Sequence, residues 1–452
     1  MLWGFFWSLL MFLIVITLLV AFHEYGHFIV ARACGVKVLR FSIGFGKILW
    51  SRNSKKGTEF VISILPIGGY VKMLDERVAP VKKEDLPFAF NRKSVLQRSL
   101  IVLAGPFFNF IFAIAAYWLM LVIGITHVAP IVGEVAPGSI AATAGIESDQ
   151  EFVEIGKTKI HSWQDVSVAL VKEIGNKTAS LPIVMKDKNG IYHYKLMLGK
   201  WAYNGSDVYL LESLGIAPSE PLIPPIIAAV QKDSPAAGAK LRTGDEVIAI
   251  DGQSIKSWQA MVKYISSKPN QLVQFTIKRN NSIRQSPVKI GQQQLRTGQM
   301  IGFLGIQSKQ LPWPSKNIRL EKYSPFKALE IALNKTYDMS ITTLKLLGKM
   351  LIGDISVKGL SGPVGIAQGA GFSASLGFAH FLSFLALVSV SLGVLNLLPL
   401  PMLDGGHFLF FIIEAIIKRP IPEKVQEFCM KVGILLLISV MLLALYNDLS
   451  RF

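Results

Sequence analysis

Residues 2–22 contain no charged side chain, and three later stretches are nearly as long and as apolar. A helix needs about 20 such residues to cross a hydrocarbon core of about 30 Å, so these four runs restrict the chain to membrane-spanning architectures. The first run goes from Leu2 to Phe22 and continues through His23 to Val30. The second is Ser99 to Thr126 and the third Phe381 to Leu403. The fourth, Val432 to Asn447, is somewhat short and borrows Phe428 to Met430. Only 17% of residues are charged against 51% hydrophobic, and the charges are bunched between the runs rather than spread over a surface. The first run lacks a basic leading region and a small-residue cleavage site, and its end carries His, Glu and His, so it reads as a retained span and not a signal peptide.

Charge orients the spans. Residues 32–98 carry fourteen Lys or Arg against five acids, which places that loop in the cytoplasm and the N-terminus outside. The long segment from His127 to His380 is then also outside, because long domains translocate largely regardless of charge. Lys418, Arg419 and Lys424 agree with a cytoplasmic link between the last two spans. A net charge of +17 raises the question of nucleic acid, but no recognition motif accompanies it, and basic loops beside spans account for it. Cys34 and Cys429 sit in or beside apolar segments and form no disulfide framework.

The outer segment repeats itself at an offset of 95 residues. Val135 and Ser139 match Val230 and Ser234, and Ala141-Ala142 matches Ala236-Ala237. Ile155 and Ile160 match Ile250 and Ile255. Ser162-Trp163-Gln164 recurs as Ser257-Trp258-Gln259. Each copy ends in a Leu-Gly-Ile strand, at Leu214-Gly215-Ile216 and Leu304-Gly305-Ile306. Short β-branched runs with one amphipathic helix describe a small β-rich module, and the pattern resembles tandem permuted PDZ domains. The second copy fits well through Gly244-Asp245 and Asp251-Gly252. The first has Asp149-Gln150 and Gly156-Lys157 at those places, so its turn geometry is less secure. Such modules bind peptide termini by strand addition; a steric filter that binds nothing fits the sequence equally well. Beyond them, Ser324 to Leu351 reads as an amphipathic helix on the outer membrane surface, with Lys327, Lys335, Lys345 and Lys349 on its polar face. Gly359 to Gly371 reads as a glycine-rich loop or hinge. The expected boundaries are 1–126 for spans one and two with the basic loop, 127–220 and 221–310 for the modules, 311–377 for the connector and 378–452 for the last spans.

The chemistry concentrates in His23-Glu24-Tyr25-Gly26-His27. On a helix, His23 and His27 share a face and present two imidazoles to one metal, with Glu24 beside it as general base. The pentapeptide alone is a moderate signal; its place in an apolar span sharpens it, since intramembrane ionisable residues are costly and functional by default. A hydrolytic Zn2+ site takes three protein ligands and keeps one position open. Asp404, just beyond the third apolar run and after Pro399 and Pro401, is the best candidate for the third, with His407 as runner-up. Freed backbone at those prolines must face protein or a water-lined cavity. Asn396 is a polar residue in an otherwise apolar stretch, suited to holding substrate backbone or to bridging helices. Residues 60–73, with β-branched residues around a Pro66 to Gly69 turn, read as a hairpin. Its bare edge could pair with an unwound substrate through Ile62, Ile64, Gly68, Gly69, Tyr70, Val71, Lys72 and Met73. In Ala104-Gly105-Pro106-Phe107-Phe108-Asn109, Gly105 allows close packing, Pro106 a kink, and Asn109 a hydrogen bond across helices. His127, His161, His193 and His380 are scattered at loops and span edges.

The His-Glu-x-x-His of the first span, the Asn-x-x-Pro-x-Pro-x-Leu-Asp-Gly segment of the third and the inserted PDZ-like modules resemble the site-2 protease family. That resemblance implies a polytopic α-helical membrane protein with four transmembrane helices, a membrane-reentrant β-hairpin and two extracytoplasmic PDZ domains. It implies Zn2+ held by His23, His27 and Asp404, water activated by Glu24, and substrate held at Asn396. It further implies a bacterial inner-membrane location with the modules periplasmic. The expected function is regulated intramembrane proteolysis of single-span membrane proteins: an anti-sigma factor trimmed beforehand on its outer side, and remnant signal peptides. The PDZ pair would admit only trimmed substrates. A metal transporter or a membrane-anchored scaffold is the competing class. A transporter would repeat polar residues in the second and fourth spans, and a scaffold has no need of Glu24.

Overall fold

The computed structural model describes residues 2–173, 180–201, 210–294, 300–309 and 313–450. The expected module and connector boundaries therefore enclose short stretches (174–179, 202–209, 295–299 and 310–312) that lie outside the described residues. Four described helices are long and apolar enough to cross a membrane: Trp3–Ala33, Val95–Ile123, Phe378–Asn396 and Glu423–Ser450. The second begins with a capping box in which Ser94 and Gln97 satisfy each other's free amides. It runs unbroken through Pro106. Val15 and Leu19 of the first span, Ala113, Ala116 and Tyr117 of the second, and Leu385, Ala386 and Val390 of the third form one buried cluster. Small residues at these crossings let backbones approach, as expected where lipid removes the hydrophobic drive between helices.

The third helix stops at Asn396, seven residues short of the expected end at Leu403. Pro399 lacks the amide to continue the helix and disfavours helical backbone before it, so Leu397–Leu403 becomes a tight loop. That loop folds over a further helix, Asp404–Ile417, which the sequence reading did not anticipate. A Cβ on Gly406 would stand 2.6 Å from the Pro401 Cα, and one on Gly405 would overlap the Leu397 and Leu398 carbonyls. The glycines after Asp404 are thus what allow the loop and helix to touch. The fourth helix, Glu423–Ser450, is longer than expected and includes Lys424 and Lys431.

Two other expectations change. The stretch expected as a glycine-rich hinge is largely helical, Pro363–Ser375; Pro363 occupies the first turn and Asp448 accepts hydrogen bonds from the Gly362 and Gly365 amides. Helix Pro325–Leu351 forms as expected, but Ala328 and Ala332 bury themselves among the spans while Phe326, Leu333 and Tyr337 face outward. Its lysines are not all on a solvated face either. Lys335 lies 5.5 Å from the Tyr117 ring, and Lys349 donates to the Lys172 carbonyl of the first module at 3.0 Å.

The hairpin is larger than residues 60–73. Strands Val38–Asn53 and Glu59–Met73 pair antiparallel around a turn at Ser54 to Gly57. Both bend sharply in the middle, so Ser42 pairs with Tyr70 on one side and Val61 on the other. The Pro66 to Gly69 segment is this bend rather than the hairpin turn. Gly44 and Gly46, both at positive φ, make the matching bend in the first strand, and a Cβ on Gly44 would meet the Leu65 carbonyl at 2.8 Å. The result is a curled sheet in the order 48–53, 59–63, 38–43, 69–73, with the last segment at an edge.

The repeat between the second and third spans builds two like modules. Strands Glu151–Ile155, Thr158–Lys159, Leu181–Lys186 and Ile191–Leu196 form the sheet of the first, and Glu246–Ile250, Gln253–Ser254, Leu272–Arg279 and Ser282–Lys289 that of the second, in the same order. Ser139 and Ser234 cap equivalent short helices. The first copy's departures do not change the turn. Asp149 adopts φ 66° where Gly244 adopts φ +91°, a conformation that a short polar side chain tolerates. Gln150 then donates to the Tyr194 hydroxyl at 2.7 Å, where Asp245 of the second copy pairs with Arg279 at 2.6 Å. Strands Ile125–Val128 and Ile318–Glu321 pair where the chain enters and leaves this double unit.

Candidate active site

Ten residues before its end, the first helix presents His23 and His27 on one face, and the loop after the third helix brings Asp404 to them. The three ligand-type atoms form a near-equilateral triangle. His23 Nε2 is 3.3 Å from His27 Nε2, and Asp404 Oδ2 lies 3.3 Å from the first and 3.5 Å from the second. Among the described residues this is the one cluster of three or more His, Cys, Asp or Glu side chains that could hold a metal ion. His407, the alternative ligand, lies outside that cluster, with its ring 6.3 Å from Phe410.

The triangle fits zinc. Four ligands at about 2.0–2.1 Å in a tetrahedron stand about 3.3–3.4 Å apart, close to the spacing found. Asp404 Oδ2 is buried and receives no hydrogen bond, so it faces the two imidazoles as an uncompensated acceptor that a cation would satisfy. His27 Nδ1 lies 2.8 Å from the Ile101 carbonyl. A carbonyl only accepts, so that ring carries its proton on Nδ1 and leaves the Nε2 lone pair for a metal.

Glu24, next to His23 on the same helix, stands beside the triangle and against the last segment of the hairpin. Gly69 is pressed against it: a Cβ there would be 3.0 Å from Glu24 Cγ and 2.9 Å from Val20 Cγ1. The structure therefore brings the hairpin segment Gly69, Tyr70, Val71, Lys72 and Met73 alongside the histidine helix. That segment is paired with residues 38–43 on one edge only. Ile62 is different, since its backbone is paired with Ile43 on one side and Trp50 on the other and has no free edge. Ile64 and Leu65 are exposed near the bend, and the Phe45 ring lies against Gly68. Asn396 closes the third helix, half-buried, eight positions before Asp404.

The second span supplies the floor, a role the sequence reading did not assign. Gly105 and Asn109 lie one turn apart on the face toward the histidines. A Cβ on Gly105 would overlap His27 Nε2 and stand 2.7 Å from His23 Cε1. Asn109 reaches His23 Nδ1 at 3.0 Å. The available signal was their spacing of four, which puts them on one helical face.

A family profile described as Peptidase family M50 matches residues 11–440. The regulator of sigma-E protease RseP of Escherichia coli (strain K12) is 44% identical over 99% of this chain and 99% of its own. Protease RseP of Yersinia pestis is 42% identical over 98% of this chain and 99% of its own. Among solved structures, the PDZ domain of an SdrC-like protein from Listeria innocua is 31% identical over 20% of this chain and 97% of its own, with a TM-score of 0.18. With the profile and both full-length relatives spanning the histidine helix and Asp404 alike, the chain belongs to peptidase family M50, the site-2 proteases.

Proposed function

We propose that this M50 peptidase is a zinc metalloendopeptidase that cleaves transmembrane segments within the bilayer. The observation that carries the reading is the His23, His27 and Asp404 triangle at zinc-ligand spacing, set in apolar helices with Glu24 beside it. Two imidazoles and a carboxylate would hold the ion, which when bound polarises a scissile carbonyl and makes water a nucleophile near neutral pH. Glu24 takes the proton from the attacking water and passes it to the departing amide nitrogen.

Substrate enters as a strand. The amides of an intact transmembrane helix are shielded, so the segment must unwind before its carbonyl can be reached. The free edge of residues 69–73 offers it main-chain hydrogen bonds next to Glu24, while Asn396 at the frayed end of the third helix offers a side-chain amide. The 38–73 sheet dips into the membrane, where exposed Ile48, Leu49, Trp50 and Ile64 meet lipid. Arg32 and the basic loop after it support a site near the cytoplasmic face of the inner membrane, with both outer modules periplasmic.

The two modules are PDZ domains that stand over the entrance and exclude substrates with bulky outer domains; peptide termini bound in their grooves would add to that selection. The substrates in this reading are single-span proteins, an anti-sigma factor after outer trimming and remnant signal peptides; one relative's name, regulator of sigma-E protease, supports a link to a sigma factor and no more. The test is Glu24→Gln on purified full-length protein with a single-span reporter. Zinc content stays near wild type and cleavage falls by about 100-fold or more. Cleavage near the wild-type rate would remove Glu24 from the mechanism and overturn the enzyme reading built on it.

A further inference from the structure

Asn109 is fully buried, with 0% of its surface exposed, inside a helix that faces lipid and apolar neighbours. One end of its amide meets His23 Nδ1 at 3.0 Å, and the other end, Oδ1, is buried with no hydrogen-bond partner. Its own backbone carbonyl accepts from Ser389 Oγ at 2.7 Å, which ties this turn to the third span. Packing alone gives no reason for a half-satisfied amide here. An apolar side chain would suit the environment better.

The neighbouring histidine supplies a reason. A neutral imidazole carries a proton on one nitrogen and a lone pair on the other. For His23 Nε2 to reach a metal, Nδ1 must hold the proton and donate it to an acceptor, as His27 Nδ1 does to the Ile101 carbonyl. Asn109 is the partner at His23 Nδ1. The two ends of its amide are nearly the same size, so a half-turn about the last side-chain bond brings Oδ1 to the place of Nδ2 without moving the backbone. We propose that Asn109 is a positioning residue for the metal: its amide oxygen accepts from His23 Nδ1–H and so holds the Nε2 lone pair toward Asp404 and His27. Gly105, one turn earlier on the same face, gives the two rings the space to converge. This proposal rests on the zinc reading above.

The test compares zinc affinity of the full-length protein in detergent, measured by competition with a chromophoric chelator, for wild type, Asn109→Leu, Asn109→Asp and Asp404→Ala. Asn109→Leu keeps the branched outline at somewhat greater bulk and loses the acceptor, so affinity falls about 10- to 100-fold. Asn109→Asp accepts only, so it binds as tightly as wild type or more tightly. The d–d absorption of the cobalt-loaded protein follows the same order, with Asn109→Asp like wild type and Asn109→Leu altered. If Asn109 only fills space, the order inverts: Asn109→Leu binds like wild type and Asn109→Asp is the weaker, which overturns the proposal. Should Asn109→Leu not fold, Asn109→Asp decides alone, and a loss of tenfold or more in it overturns the proposal. Equal zinc binding by wild type and Asp404→Ala refutes the ligand assignment itself, a failure distinct from that of Asn109.

Discussion

Arg98 and Glu414, 316 residues apart, meet in a two-pronged ion pair, with Nη2 to Oε1 at 2.7 Å and Nη1 to Oε2 at 3.1 Å. The guanidinium also lies 4.9 Å from the Phe411 ring. The pair fastens the helix that starts at Asp404 to the span that carries Gly105 and Asn109, so it fixes one ligand relative to the other two. Removing one partner of a mostly buried pair costs about 3 kcal/mol, because the remaining charge loses its compensation. Arg98→Met is therefore expected to lower thermal stability in detergent and weaken zinc binding. The double change Arg98→Met with Glu414→Leu should recover most of the stability. A double variant no more stable than the single one would show that the pair does more than satisfy itself.

Gly105→Ala places a methyl group where the two histidines converge, 2.7 Å from His23 Cε1. Helix propensity favours alanine, yet overpacking of this kind costs about 1 to 3 kcal/mol. The expected result is a folded protein whose zinc affinity drops at least tenfold, measured by the same chelator competition. Unchanged affinity would mean the histidines do not need that space.

The free edge at residues 69–73 can be probed by Val71→Pro. Residues 69–73 pair with 38–43 alone, so a proline here removes one main-chain donor from the strand nearest Glu24 at an edge position. Zinc content should hold while kcat/KM for a single-span reporter falls about 10-fold or more, the scale of a hydrogen bond. Full activity would place substrate elsewhere.

Much of this arrangement is legible in the sequence because it rests on local periodicity. His23 and His27 four apart on an apolar run, and an aspartate just after two prolines, need no tertiary knowledge. What escaped reading depends on contacts between distant segments. Gly105 reads as a close-packing position and Asn109 as a hydrogen bond between helices; that their partners are His23 and His27 shows only when the first span is laid against them. The curl of the hairpin comes from Gly44 and Gly46 opposite Pro66 to Gly69, a pairing that no single segment reveals. Helix Pro325–Leu351 turned its small residues inward because Ala328 and Ala332 fit between spans, where its large apolar side chains do not. The helix from Asp404 to Ile417 was hidden because the prolines at 399 and 401 mark where the third helix ends but not where the chain resumes one.

A pH dependence follows from the second module of the repeat. Burial pushes the Asp245 carboxyl up, but hydrogen bonds from Arg279 and the Arg242 amide outweigh it and hold the group below the usual aspartate range. A carboxylate whose folded value is depressed stabilises the fold above its unfolded value and loses that contribution as pH falls through the folded one. Amide exchange at Val247 and Phe275 should therefore speed up as pH drops below about 4, after correction for intrinsic rates. Arg279→Ala should remove most of that dependence. The first module, with the uncharged Gln150 in place of Asp245, should lack it.

Which atoms hold the metal decides the chemistry of the site, and X-ray absorption at the zinc edge reads that shell directly, so it tests the His23, His27 and Asp404 assignment. For the purified wild-type protein it predicts one zinc per chain bound by nitrogen and oxygen alone at about 2.0–2.1 Å, with the outer-shell scattering of two imidazoles. In Asp404→Ala the oxygen contribution should fall or the metal be lost. A sulfur ligand, a third imidazole, or a shell unchanged by Asp404→Ala would contradict it.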